Sequence, residues 1–280
     1  MKIYLKMKIN EYIFKEKEVI CTDKYLNLCN LYTITKVKYY KHDFLFQDGI
    51  WRDEYVKSCI NTKSNIVVVG HSDFCVDDTV AMKIKEQTNC KKLYSVNNIS
   101  TFDWCFPLPL GITNLTNETS NHPIYGNTSI MKVASEQNIK KSGLVYCNVN
   151  IYTNVNKRKD CVLHFMNKDW VTMGQHQSNI NSRYNFLLEI KRHKFVICPE
   201  GNGIDTHRLW ETLYMGSIPI VQKTIALRGF DDLPIAWIDD WKQVTKEWCE
   251  KMYEEMIDKE WNMEKLNSSY WTKVLKDEIN

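Results

Sequence analysis

Arg208 and Glu211 lie close together in the stretch Lys194-Phe195-Val196-Ile197-Cys198-Pro199-Glu200-Gly201-Asn202-Gly203-Ile204-Asp205-Thr206-His207-Arg208-Leu209-Trp210-Glu211. An arginine fork can grip a pyrophosphate through parallel, charge-assisted hydrogen bonds. A glutamate beside phosphate alone would repel it, but its two acceptor oxygens suit a ribose diol. Gly201 and Gly203 let a backbone approach a ligand closely. The first turn of a following helix adds unpaired N–H groups and the positive end of the helix dipole. Asn202, Asp205, Thr206 and His207 can touch a nucleotide through backbone or side chain. These types in this order point to a nucleoside-diphosphate site. The plainer alternative is an exposed Arg208–Glu211 ion pair, worth only a few tenths of a kcal/mol.

Such a site needs elements to hold it. The apolar run Lys194 to Cys198 reads as a strand, and Thr206 to Met215 as a helix with Asp205 as its N-cap. Gly216 sits where a helix-terminating glycine belongs, and Pro219 follows in the strand Ile218 to Val221. Leu209, Trp210 and Leu213 share one side of the helix, while His207, Arg208 and Glu211 share the other. In an open α/β sheet the ligand crevice lies at the carboxyl ends of the strands, where this loop falls.

The rest of the chain repeats the alternation. Asn65 to Gly70 reads as a central parallel strand, apolar throughout. Asp77 to Thr88 reads as a helix, Leu93 to Val96 as a strand, and Phe106 to Leu110 as an edge or extended segment because of its prolines. Thr113 to Ser129 is rich in Asn, Thr and Ser and reads as an exposed connection. Then come strand Gly143 to Cys147, helix Asn156 to Phe165, strand Trp170 to Met173, helix Tyr184 to Lys191, the segment already described, and strand Ile235 to Ile238. Trp241, Val244, Trp248, Met252 and Met256 keep helical spacing, read as core packing, and a last helix covers Ser268 to Ile279. The expectation is an α/β protein with two doubly wound domains and C-terminal helices: residues 1–135, residues 136–255, and a tail over 256–280 that packs back on the first.

Bulk properties narrow the function class. With 280 residues, a formal net charge of +3, 44% hydrophobic and 25% charged residues, the chain can build packed cores, and it lacks the basic stripe of a nucleic-acid binder. Its ten cysteines form no CxxC pair, so a zinc site is not expected, and reduced, mostly buried thiols are. Lysines interrupt the apolar residues of the first 20 positions, and no apolar run reaches about 18 residues, so neither a signal peptide nor a membrane span is expected. The expected location is the cytoplasm.

The order Cys-Pro-x-Gly-x-Gly, His-Arg-Leu-Trp-Glu, Gly-Ser-Ile-Pro-Ile-Val resembles the donor-binding region of exostosin-like, family 47-like glycosyltransferases. Val69-Gly70-His71-Ser72-Asp73, Asn97-Asn98 and Pro107-Leu108-Pro109-Leu110-Gly111 resemble the acceptor-side half of those proteins. The strong likeness covers about 30 residues and the looser one about 170. It implies GT-B architecture, two Rossmann-like domains facing a cleft. It implies a nucleotide-sugar donor, usually a UDP-sugar, a glycan acceptor, inversion at the anomeric carbon, and no metal or other cofactor. The chain has no Asp-x-Asp and lacks the anchor and Cys-rich stem of animal Golgi members, which would suit a bacterial or large-virus protein.

Inverting transfer requires a base for the acceptor hydroxyl. Asp73, three residues past the Val67 to Gly70 strand, is the first candidate and His71 the second; Asp77, Asp78 and Asp103 stand behind them. Arg158 can reach the diphosphate from the helix after strand Gly143 to Cys147. Asn148, Asn150 and His176 are weaker donor-side candidates, and Lys157 and Lys159 read as solvated. Two other readings stay open: a non-catalytic nucleotide- or carbohydrate-binding protein of the same fold, and an NAD(P)-dependent enzyme, which the absence of GxGxxG disfavours.

Overall fold

Val67, Val68 and Val69 are buried on both faces of a strand, as parallel sheets covered on both sides require. In the computed structural model, which describes residues 6–25, 35–38, 65–70, 73–87, 90–113, 124–175 and 179–277, this strand is β2 (Ile66–Gly70). It lies between β1 (Thr35–Lys38) and β3 (Lys92–Ser95), with β4 (Cys105–Pro107) at the edge, all parallel in the order β1-β2-β3-β4. Helix α1 (Asp78–Gln87) makes the crossover from β2 to β3.

The second sheet holds β5 (Gly143–Cys147), β6 (Val171–Met173), β7 (His193–Ile197), β8 (Ile218–Gln222) and β9 (Ala236–Ile238). Its order is β6-β5-β7-β8-β9, again all parallel. Helices α3 (Val155–Phe165), α4 (Ile180–Arg192) and α5 (His207–Tyr214) connect its strands, and α2 (Thr128–Ser135) precedes it. Helices α6 (Lys246–Ile257) and α7 (Ser268–Asp277) end the described chain. This order reverses direction between β5 and β7, the point at which doubly wound sheets open a crevice.

Alternation along β2 divides the core. Val67 and Val69 pack with Val80, Ala81 and Ile84 of α1. Ile66 and Val68 face the other way, into a cluster that also holds Tyr94, Val96 and Leu108 and continues to Val145, Phe195, Ile197 and Trp210 of the second sheet. The two sheets therefore share one apolar core. Residues 6–25 help seal it: Met7 bridges to Trp261, and Lys24 Nζ donates to Ser268 Oγ at 3.0 Å.

Most expected elements appear within a residue or two of their sequence-based limits, and Gly216 takes the left-handed φ of 70° that ends α5. Five expectations change. Strand β1 and helix α2 were not expected; α2 starts inside the polar stretch because Asn127 caps it, accepting from Ile130 N at 3.0 Å. Helix α4 begins at Ile180 rather than Tyr184, since Asn179 and Ser182 form a reciprocal capping box. The tryptophan stripe is not one helix: Asp240 caps a 3-10 turn at Trp241–Gln243, and Thr245 separately caps α6. Asp205 does not cap α5; Thr206 takes that position, with no side-chain cap bond. The described cysteines are all free thiols, six of them buried, and Cys29 and Cys59 lie outside the described residues. Among the described residues no helix is long and apolar enough to cross a membrane.

Candidate active site

Arg158 and Arg208 approach each other at the carboxyl ends of β5 and β7. Arg158 lies in phase with Cys161, Val162 and Phe165 on the inner face of α3 and is only 7% exposed. Its Nε donates to Glu200 O at 2.7 Å and its Nη1 to Asn150 O at 3.0 Å. Asn154, the N-cap of α3, donates through Nδ2 to Gly201 O at 2.7 Å. Two side chains thus fasten the loop after β7 to the turn after β5. A Cβ on Gly201 would stand 3.0 Å from Arg158 Nη2, so this glycine makes room for the guanidinium.

Arg208, in the first turn of α5, lays its guanidinium 5.8 Å from the ring centre of Phe186, and its buried Nε has no hydrogen-bond partner. Among the described residues neither Arg158 nor Arg208 forms a salt bridge. Burial, with the positive charge of Arg208 adding to it, pulls the Arg158 pKa down to about 10. Two guanidiniums that repel each other, with Glu211 the nearby carboxylate and that one already paired with Arg183, leave an excess of positive charge that a bound polyanion would relieve.

Glu211 is placed differently from its sequence-based role. Leu209 through Tyr214 are all buried, so α5 has no polar outer face. Glu211, 5% exposed, pairs instead with Arg183 of α4, Nη2 to Oε1 at 2.7 Å. Burial pushes the Glu211 carboxyl up, but the charge and hydrogen bond of Arg183, helped by His207 and Arg208, hold it below the usual carboxylate range. Arg183 also donates to Tyr125 O and stands over the other neighbour of Arg208, the ring of Phe186, at 5.5 Å. Sequence reading missed Arg183, although it falls in phase with the buried Leu187 and Ile190. A cation on an apolar stripe announces a buried partner.

Three other donor-side candidates turn toward the first sheet. Asp205 is buried; its Oδ2 accepts from Leu110 N and its Oδ1 from Trp210 Nε1, both at 2.8 Å. Burial raises its carboxyl to about 7 despite these bonds. Gly203 leaves space for Asn97, whose Nδ2 would be 2.8 Å from an added Cβ. His207 is half-buried and donates through Nδ1 to Gly111 O at 2.8 Å. Burial lowers its pKa, against smaller upward pulls from that bond, Glu211 and Asp73. Asn202 is exposed at the loop tip, and Thr206 is half-buried at the start of α5.

On the rim of the first sheet, Asp77 caps α1, accepting from Val80 N at 2.8 Å. Asp78 accepts from Ser100 Oγ, Thr101 N and Thr101 Oγ1 at 2.6 to 2.7 Å, bonds that hold its carboxyl below the usual range. Both are therefore structural. Asp73 and Asp103 are exposed, and only Asp73 comes within electrostatic reach of His207. His71 and His176 lie outside the described residues. Asn148 is buried and bonds Tyr146 and Gln175, while the exposed Lys157 pairs with Glu200 at 3.2 Å and Lys159 is exposed.

Comparison with known proteins adds one independent finding. The chain is similar to ribitol-5-phosphate xylosyltransferase 1 of Danio rerio, 24% identical over 176 residues. The likeness takes in 53% of this chain and 36% of that protein, so this chain spans about a third of the relative's length. No family model matches.

Proposed function

We propose that this chain is a glycosyltransferase that moves a sugar from a nucleotide sugar to a glycan hydroxyl, inverting the anomeric carbon without a metal. The observation that carries this reading is the pair Arg158 and Arg208, two guanidiniums without a salt-bridge partner among the described residues, beside a glycine loop at a strand-order reversal. The donor is a UDP-sugar, and the likeness to a xylosyltransferase favours UDP-xylose. The two sheets are then the halves of a GT-B enzyme, residues 1–135 and 136–255, with 256–280 closing back on the first, working in a cytoplasm.

In the reaction, the acceptor hydroxyl oxygen attacks the anomeric carbon as the bond from that carbon to the diphosphate oxygen breaks. Asp73 takes the hydroxyl proton. Arg158, Arg208 and the start of α5 receive the negative charge that grows on the departing diphosphate, which is where fixed cations lower a barrier most. Arg183 holds Glu211 ionised beside them, leaving a net positive site.

A thermal-shift panel of UDP, UDP-xylose, UDP-glucuronate, UDP-galactose, GDP-fucose and NAD(P)H in the presence of chelator tests the reading. A bound nucleotide at 100 times its dissociation constant should stabilise the protein by about 2.7 kcal/mol. Stabilisation by NAD(P)H alone, or transfer that depends strictly on added divalent metal, would contradict it. UDP binding with neither transfer nor hydrolysis would instead make the chain a binding protein.

A further inference from the structure

Two sheets joined by connecting chain usually move relative to each other unless their interface is large and apolar. Here the apolar core is continuous from Ile66 and Val68 to Phe195 and Trp210. Polar struts cross above it. Asn97 is buried at the end of β3 with a left-handed φ of 50°, a conformation that asparagine tolerates better than most residues. Its Oδ1 accepts from Asp205 N at 2.8 Å, while its own carbonyl accepts from Val76 N at 3.0 Å. Asp205 in turn accepts from Leu110 N. From the far side, Arg228 Nη1 donates to Asn98 O at 2.8 Å, and its Nη2 donates to Cys105 O at 2.7 Å and Asn98 Oδ1 at 3.2 Å. Asn97 therefore touches both the glycine loop of the second sheet and the loop carrying Asp73, three residues before Val76.

We propose that Asn97 is a positioning residue which, with Asp205 and Arg228, locks the Asp73 rim onto the donor-side loop, so that the cleft is preformed and does not open by hinge motion between the sheets. None of the three needs to touch a substrate. The lock stands on the geometry alone; its catalytic consequence rests on the glycosyltransferase reading. Asn97→Gly is the informative variant, because glycine accepts the positive φ and the space beside Gly203 while removing the acceptor for Asp205 N.

Hydrogen exchange read by mass spectrometry on the full, ligand-free chain tests the lock. In the wild type, peptides covering 73–77 and 96–111 should exchange in the same slow class as peptides covering 193–214. In Asn97→Gly and in Arg228→Ala, the first two should exchange at least about tenfold faster while 193–214 is unchanged, apart from the Asp205 amide, whose acceptor Asn97→Gly removes. Wild-type peptides 73–77 and 96–111 that already exchange far faster than 193–214 would overturn the proposal. So would equal acceleration in both sheets, or no change in either variant. The kinetic arm uses UDP and transfer: kcat should fall about tenfold or more with the UDP Kd held within about twofold. A UDP affinity that falls in step would make Asn97 a donor ligand and overturn its positioning role. If the wild type does not bind UDP, the enzymatic reading fails while the exchange result still decides the lock.

Discussion

The segments that follow β3 and β4 meet those that follow β7 and β8, yet the two sheets treat charge in opposite ways. On the second sheet Arg158 and Arg208 have no salt-bridge partner among the described residues, and Arg208 Nε is buried without a hydrogen bond. On the first sheet the carboxylates of Asp77 and Asp78 are spent on capping and bracing the chain. Proteins rarely leave buried charge unsatisfied. On the proposed reading, that imbalance is where a ligand's charge belongs, whereas the carboxylates of the other side serve to hold the chain in shape. Asp73 is the exception on the first sheet: an exposed carboxylate on that rim, without its neighbours' bracing bonds among the described residues, and close enough to His207 to influence it.

The sharpest way to break this contrast is Asp73→Asn. It should lower kcat for transfer by about 10²- to 10⁴-fold, the usual worth of a general base, with the UDP affinity unchanged; steady-state kinetics beside calorimetry would show it, and normal turnover would remove Asp73 from the chemistry. Next in size is Arg183→Ala, which strips the buried Glu211 carboxylate of its partner. It should cost about 3–5 kcal/mol of stability by denaturant titration. A loss under about 1 kcal/mol would place Glu211 in water and restore its outward-facing role.

The third contrast concerns Asp205. Its carboxyl is raised to about 7 in the folded chain, so between the ordinary carboxylate range and that value the folded state binds more protons than the unfolded one. The stability it contributes is present at low pH and is lost as pH rises toward about 7. Asp205→Asn should flatten the slope of stability against pH across that window. An unchanged slope would mean that Asp205 titrates as an ordinary carboxylate.

The second sheet was legible in the sequence because Phe195, Val196, Ile197 and Ile218 through Val221 are apolar without interruption, and Gly216 marks the end of α5. The helical placing of Arg158 after β5 and of Arg208 after the glycine loop was legible from the strand–helix order, while their part in donor binding stays a proposal. Glu211 was misplaced because a two-faced helix was assumed where tertiary packing buries nearly every side chain. Its partner Arg183 is 28 positions away in the chain, a separation that helical periodicity cannot bridge. Asp205 and Gly203 were assigned to a ligand when the space and bonds they provide go to Asn97, Leu110 and Trp210. Helix α2 hid in a polar stretch because its signal is a single Asn127 cap rather than an apolar run.

Calorimetric titration of UDP into the wild type and Arg208→Ala tests the unpaired-arginine site most directly. Arg208→Ala should bind UDP about 10- to 150-fold more weakly, the worth of about 1.5–3 kcal/mol for a hydrogen bond to a charged group. Equal affinity in the two proteins, or no UDP binding by the wild type, would contradict it.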